Sequence, residues 1–107
     1  MTLKDLYNIL LKVNVQVEYG FFDADDPPEL PCITYEVAYT RNFSADRVVY
    51  QKISVVDIFL FEKHKDPELE ERLEALLKEA DIFWDMTETY LSDQRAYQII
   101  YEVRIDG

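Results

Sequence analysis

Residues 42–77, NFSADRVVYQKISVVDIFLFEKHKDPELEERLEALL, decide the fold of this chain. A polar turn leads into a strand that is apolar on both faces. One face of the strand carries Ile53, Val55, Phe59 and Phe61, and the other carries Val56, Ile58 and Leu60. This pattern is typical of a central strand whose sheet is covered on both sides. Helices would supply one cover, and a partner subunit could supply the other.

The second half of this stretch predicts an amphipathic helix with a clear start. Asp66 can cap the helix, and Pro67 fits its first position. Three glutamates in the first turns, Glu68, Glu70 and Glu71, favour the positive end of the helix dipole. The residues that form an apolar stripe at helical spacing are Leu69, Leu73, Leu76, Leu77 and Ala80. Because this stripe needs a sheet to cover, strand and helix together predict half of the fold.

Hydrophobic periodicity predicts further elements on both sides of this centre. They are a helix at residues 3–13 that Thr2 caps, strands at 15–19, 33–39, 82–86 and 96–105, and a proline-rich loop at 22–31. A polar link at residues 40–47 precedes the central strand at 48–62, and residues 87–94 fit either a strand or a loop. The order α-β-β-β-α-β-β predicts an α+β fold with a largely antiparallel sheet and helices packed on one face.

Length, charge and cysteine content limit the possible functions. The 107 residues predict a single domain, and a hydrophobic content of 49% argues against disorder. A net charge of −11 predicts a surface that repels nucleic-acid phosphates and anionic membranes. The single cysteine, Cys32, excludes an intrachain disulfide and fits a reducing cytoplasm. The polar residues at positions 1–13 favour a helix over a signal peptide, and no apolar run is long enough to span a bilayer.

Few residues point to chemistry. His64 is the only histidine and lies between lysines, so we expect an exposed linker residue and not a catalyst. Cys32 opens an apolar strand and is expected to be a small buried hydrophobe. Asp23, Asp25 and Asp26 could bind a hard cation, but they lack the glycine and distal glutamate of an EF-hand loop. We therefore expect no metal, no cofactor and no catalytic residue.

Asp57 is the most unusual polar residue because it interrupts an apolar strand. If it is buried, it needs a hydrogen-bond partner or a cation. The cation could be Arg47, Arg95 or Arg104, within the subunit or across an interface. A lone buried carboxylate could instead act as an acid or base with a raised pKa.

The chain is rich in tyrosine, with 8 residues of this type. The tyrosines that lie in or beside predicted strands are Tyr35, Tyr39, Tyr50, Tyr97 and Tyr101. Two interpretations carry equal weight. The rings pack in the core with their hydroxyl groups at its rim, or they form a subunit interface, where tyrosine is enriched.

Short phrases of sequence along nearly the whole chain carry a resemblance. A LYNIL helix is followed by a V-x-V-x-Y strand, an acidic loop that ends in LPCITYE, and then T-x-NFSAD, VVYQK, V-x-IFLF-x-x-x-KDPELE and a closing Y-x-x-x-YEV strand. With these features the chain resembles the small tail-completion or tail-terminator proteins, which join head and tail in long-tailed phages and prophages of Gram-positive bacteria.

The resemblance implies a compact α+β subunit that assembles as a hexameric ring at the head-proximal end of the tail tube. Such a ring would stop tube polymerisation and would offer a docking face to the head–tail connector protein. The implied partners are other copies of the chain, the tail tube protein and the connector protein, with DNA passing through the lumen without specific binding. The implied locations are the host cytoplasm during assembly and the tail or neck of the mature virion.

The resemblance also implies a virion structural protein that has no enzymatic activity, no cofactor and no contact with a membrane. It supplies no catalytic residues to carry over to this chain. Separately, the charge of −11 suits a lumen that must not grip DNA.

The residues that we expect at a subunit interface lie in the link at 40–47 and on the strands. Phe43, Ser44 and Asp46 occupy the link, where an apolar Phe43 costs exposed area unless a partner or its own core covers it. The strand candidates are Tyr35, Tyr39, Tyr97 and Tyr101. The candidates for the lumen or for an exposed loop are Asp23, Asp25 and Asp26.

Two other function classes stay open. A monomeric or dimeric acidic binding module, such as an inhibitor that mimics the charge of DNA, predicts evenly exposed carboxylates and a sheet fully covered by its own helices. A carboxylate-dependent enzyme predicts a deep pocket around Asp57 with a strongly shifted pKa. Ring assembly predicts instead a β surface that a single subunit leaves uncovered.

Overall fold

The structure is a computed structural model that describes residues 1–23, 25–45 and 49–106, with backbone alone for 42–45 and 49–51. Two helices and a five-stranded sheet form an α+β fold, as the sequence predicts. In chain order the elements are α1 (Leu3–Leu11), β1 (Gln16–Tyr19), β2 (Cys32–Ala45), β3 (Val49–Glu62), α2 (Pro67–Glu79), β4 (Trp84–Leu91) and β5 (Ala96–Asp106).

The central position of β3 in the sheet is confirmed. The strand order is β1-β2-β3-β5-β4, and each neighbouring pair is antiparallel except β1 and β2, which are parallel. Ile58 in the middle of β3 pairs with Tyr35 of β2 and with Tyr101 of β5. The register therefore places three large side chains in one row on the same face of the sheet.

Both helices cover that face. Thr2 and Asp5 form a capping box at the start of α1, and Asp66 caps α2 by accepting from the backbone N–H of Leu69. The fully buried residues that the helices and β3 contribute to the shared core are Leu6, Leu10, Leu73, Leu77, Val56, Ile58 and Leu60. Burying such a side chain contributes about 2 kcal/mol of transfer free energy, so the core fixes the helices on the sheet.

Neither helix could cross a membrane, since α1 has 9 residues and α2 has 13, and no helix within the described ranges is long and apolar enough.

The predicted link at residues 40–47 is wrong as a loop over residues 40–45, and residues 46–47 lie outside the described ranges. β2 continues through Ala45 and pairs with β3 up to the pair Ala45–Val49. A register shift between Val37 and Tyr39 marks a bulge in β2. The alternation of apolar and polar residues, from which the strand was predicted, stops at this bulge, but the strand itself continues. The polar residues from Thr40 onward are compatible with a strand because β3 satisfies their backbone groups.

Two other boundaries also differ from the sequence prediction. β4 begins at Trp84 and continues to Leu91, so most of the ambiguous segment 87–94 is strand. α1 ends at Leu11, and Asn14 then adopts a φ of 70° before β1 begins.

Candidate assembly surfaces

The second face of the sheet, here called the outer face, is left without a helix. Its positions on the three inner strands include Cys32, Thr34, Glu36 and Tyr39 on β2, Val55, Asp57, Phe59 and Phe61 on β3, and Gln98, Ile100, Glu102 and Arg104 on β5. Loop residues 20–23 and 25–31 cover one end, where Phe21, Leu30 and Phe61 line a common cavity. Further along, Phe59 and Ile100 remain half-exposed in the subunit. The outer face therefore has no helix above it and keeps partly exposed apolar side chains beside charged ones.

A row of carboxylates crosses the outer face. Glu36 lies opposite Asp57, Asp57 lies opposite Glu102, and Glu102 lies opposite Asp85, so each of four adjacent strands contributes one acid. Like charges in directly opposite positions destabilise a sheet. Partial burial, together with the Glu36 carboxylate, raises the pKa of Asp57 above its ordinary value. We call these four residues the carboxylate row.

Among the described residues, one cation reaches the carboxylate row within the subunit. Arg104 lies 3.5 Å from Glu102 and 3.9 Å from Asp85, and both contacts are largely exposed to solvent. No ion pair joins Asp57 to a cation in the part of the chain that the structure describes, so neither Arg95 nor Arg104 pairs with it within the subunit. Arg47, another expected partner, lies outside the described residues. Over the described ranges, the carboxylate row therefore has one cation for four acids.

The hairpin of β2 and β3 projects beyond the rest of the sheet. The last described pair between β3 and β5 is Ile53–Asp106, so within residues 25–45 and 49–106 the residues 42–45 and 49–52 pair only with each other. Four residues of strand measure about 13 Å, and the molecule is elongated, with extents of 50 × 29 × 22 Å. A two-stranded hairpin alone is marginal in water. This projecting part, residues 42–45 and 49–52, is here called the ribbon.

Two strand edges are also open. β4 is the last strand of the sheet, and its residues between Trp84 and Leu91 are exposed. β1 covers β2 only from Cys32 to Tyr35, after which the Val37 N–H donates to the Tyr19 hydroxyl at 3.3 Å. Unpaired backbone groups along a strand edge are a template for pairing with another chain.

The structure separates the strand tyrosines into two groups. Tyr35 and Tyr101 are 7% and 0% exposed, and Tyr101 donates a hydrogen bond to Glu74 Oε2 at 2.9 Å. Both face the helices, so core packing and not a subunit interface describes them. Tyr39 is 43% exposed, and Tyr97 is half-buried with its ring centroid 5.0 Å from that of Tyr90. Tyr39 therefore keeps a surface that a neighbouring subunit can contact, whereas Tyr97 lies on the helix-covered face and packs against the core.

The other candidate interface residues lie at the hairpin. Phe43 and Ser44 belong to the ribbon strand of β2 and not to a loop, with Phe43 opposite Gln51 and Ser44 opposite Tyr50. Their side chains, and Asp46 as a whole, lie outside the described residues. The interface role of all three stays a prediction.

The acidic loop is a turn that its own side chains support. Asp23 Oδ1 accepts from the Asp25 N–H at 2.9 Å, and the Asp23 carbonyl accepts from the Asp26 N–H at 3.1 Å. Aspartate favours such turns for this reason. All three aspartates are exposed, and across residues 1–23, 25–45 and 49–106 no three acidic, histidine or cysteine side chains are grouped to hold a metal ion. Their orientation toward a lumen stays a prediction.

Cys32 and His64, the two residues considered for a catalytic pair, differ in exposure. Cys32 is 2% exposed, as the sequence predicts, and burial raises the pKa of its thiol to about 11. His64 is exposed in the segment between β3 and α2. A thiol with so high a pKa is almost entirely protonated at neutral pH and is a poor nucleophile.

A buried acidic cluster under the start of α2 was not predicted. Glu62 is 1% exposed and Glu70 is 6% exposed, although both glutamates suggest surface positions. Lys65 Nζ contacts Glu70 Oε1 at 2.7 Å and also pairs with Glu88. Neither carboxyl oxygen of Glu62 has a hydrogen-bond partner among the described residues. The alternation of β3 was the available signal, because Glu62 follows Leu60 on the helix-covered face.

The Glu62 carboxyl is held in its neutral form. Burial, reinforced by the neighbouring Glu70 carboxylate, raises its pKa from 4.5 to about 8. Burial lowers the pKa of Lys65, but hydrogen bonds to Glu70 and Glu88 outweigh that effect and raise it overall. The cluster is therefore a structural element that is sensitive to pH.

Glu62→Gln is expected to remove a pH dependence of stability. The folded state keeps a proton on Glu62 that the unfolded chain loses above pH 4.5, so the free energy of unfolding decreases as pH rises from 4.5 to about 8. At pH 9 the variant should be about 4 kcal/mol more stable than the wild type, and near pH 5 the two should be similar. Urea unfolding followed by circular dichroism measures both values.

Glu71→Gln is the matched control, because Glu71 lies exposed on the same helix. Its unfolding free energy should follow the wild type at every pH. Parallel pH profiles for Glu62→Gln and the wild type would show that the Glu62 carboxyl is ordinary.

Comparisons with known proteins support the fold. Neither a protein-family model nor a curated protein matches the chain. Among solved structures, the chain is similar to one chain of "Virion of native gene transfer agent (GTA) particle", with a TM-score of 0.51 and 12% identity over 92% of this chain and 84% of that chain. At this identity the likeness shows a shared α+β fold.

Proposed function

We propose that the chain is a non-enzymatic phage virion protein, a tail terminator or tail-completion component that forms a ring at the head-proximal end of the tail tube. The observation that carries the proposal is the incomplete sheet: an outer face without a helix, next to a ribbon that pairs only with itself. Both features cost stability in a lone subunit, and contact between copies relieves both. The similarity in fold to a virion chain supports the same class of function.

The proposed mechanism is geometric. The ribbon and the outer face are different surfaces of one subunit, so a contact between them is head-to-tail, and such contacts form a ring when the rotation closes. One rim of a hexameric ring would match the last ring of the tail tube, and the other rim would receive the connector protein. The charge of −11 would keep the lumen from holding DNA as it passes.

The two alternatives fit the subunit less well. An acidic inhibitor module predicts a sheet that its own helices cover, whereas both helices lie on one face. An enzyme predicts a deep pocket around Asp57, whereas Asp57 lies half-buried on the open outer face. Self-assembly is the function class that uses these features.

Capping of tail tubes tests the terminator role. Purified chain is added to growing tubes of the tail protein from the same phage or prophage, and tube lengths are measured by negative-stain microscopy. We expect shorter tubes with a ring at one end. Tubes of unchanged length without an end ring would contradict the proposal, as would a coding sequence without neighbouring tail-tube and tape-measure genes.

A further inference from the structure

The hairpin differs in charge from the rest of the chain. Residues 37–56 contain three basic residues, Arg41, Arg47 and Lys52, and one acidic residue, Asp46, which gives this segment a charge of +2. The remaining residues contain 8 basic and 21 acidic side chains, a charge of −13. A cationic projection on an anionic protein favours contact with the body of another copy of the same protein.

The two cations that the structure describes on this hairpin are accessible. Arg41 and Lys52 are both exposed, and the Arg41 guanidinium lies 5.5 Å from the centroid of the Tyr39 ring. Arg41 is opposite Ile53, and Lys52 is opposite Asn42, so the two cations lie on opposite faces of the hairpin. Neither cation makes an ion pair among the described residues.

The outer face supplies the complementary charge. The carboxylate row places four acids in line across β2, β3, β5 and β4, with Arg104 as its one cation in the described subunit. Beside the row, Phe59 and Ile100 are half-exposed and offer apolar contact. A ribbon about 10 Å wide fits across a sheet of four strands spaced about 4.8 Å apart.

We infer that the ribbon of one copy lies across the outer face of the next copy, with Arg41 at the base of the ribbon against the carboxylate row and Lys52 on the opposite face of the hairpin. The occupant of the outer face is thus a second copy of this chain. The contact relieves the like-charge row, which includes Asp57 without a cation of its own, and it supports a hairpin that is marginal alone. This inference rests on the proposed ring and names the contact that closes it.

Reversing the charges on the hairpin and on the carboxylate row, separately and then together, tests the contact between the ribbon and the outer face. Arg41→Glu/Lys52→Glu inverts the two cations at the base of the ribbon, including Arg41 that faces the row, and Glu36→Lys/Asp85→Lys inverts the two exposed ends of the carboxylate row. Each variant alone places like charges together, so we expect its dissociation constant for assembly to rise about 100-fold. An equimolar mixture restores opposite charges at every contact of an alternating ring, and rings should return. Sedimentation velocity and negative-stain microscopy follow assembly.

The control is Lys4→Glu/Lys12→Glu, which changes the net charge by the same amount as the ribbon variant. Lys4 lies in α1 and Lys12 caps its end, on the helix-covered side of the sheet. It should assemble like the wild type. Two results overturn the inference but not the proposed ring. In the first, the wild type forms rings and Arg41→Glu/Lys52→Glu assembles equally well. In the second, the mixture of the two double variants assembles as weakly as each variant alone. A wild type that stays monomeric overturns the proposed ring, and the inference with it. Circular dichroism of each variant confirms that it is folded.

Discussion

Replacing residues 43–51 with the dipeptide Asn-Gly is expected to give a folded subunit that no longer assembles. The replacement joins Asn42 to Lys52, which already pair across the hairpin, and Asn-Gly favours the tight turn that this connection needs. Most of the ribbon is removed, and the core elements keep their pairing. We expect the dissociation constant for assembly to rise by about 1,000-fold, as for the loss of several central interface residues.

The stability of the shortened subunit should stay within about 1 kcal/mol of the wild type, because a hairpin that pairs only with itself adds little. Urea unfolding measures stability, and sedimentation velocity measures assembly. The control shortens the other hairpin, replacing residues 92–95 between β4 and β5 with Asn-Gly, and should assemble normally. Normal assembly of the ribbon deletion would exclude the ribbon from the interface.

Two tyrosine substitutions are expected to act on different properties. Tyr101→Ala removes a fully buried ring from the core and should lower the free energy of unfolding by about 4 kcal/mol. Tyr39→Ala removes a ring that is 43% exposed beside Arg41, so it should change stability by less than about 1 kcal/mol and weaken assembly instead.

Urea unfolding and sedimentation velocity on both variants separate the two effects. Tyr101→Phe is the matched control for the core, since it keeps the ring and removes only the hydrogen bond to Glu74. A Tyr39→Ala variant that assembles like the wild type would remove Tyr39 from the interface. A Tyr101→Ala variant of normal stability would contradict its place in the core.

Strong local signals predicted most of the fold. The capped helix after Asp66 and the doubly apolar strand around Ile58 were sufficient to predict α2, β3 and a sheet with helices on one face. These elements follow from periodicity and capping, which depend on neighbouring residues. β2 was predicted too short because its bulge between Val37 and Tyr39 interrupts the alternation, and its polar end resembles a turn.

The surfaces could be predicted only in part, because they depend on register. Tyr35, Tyr39 and Tyr101 look alike in sequence, yet the bulge turns Tyr39 to the outer side while the other two face the helices. The carboxylate row needs three strand registers at once, and no local pattern supplies them. Glu62 and Glu70 resemble surface residues until the fold brings them together under α2.

The mass of the intact chain in solution tests self-assembly most directly. Sedimentation equilibrium over a wide range of concentrations should show a discrete species of six times the 12.7 kDa subunit, in exchange with smaller species and weakened by salt. A mass of 12.7 kDa at every concentration would contradict the account, because the outer face and the ribbon would then have no second copy to complete them.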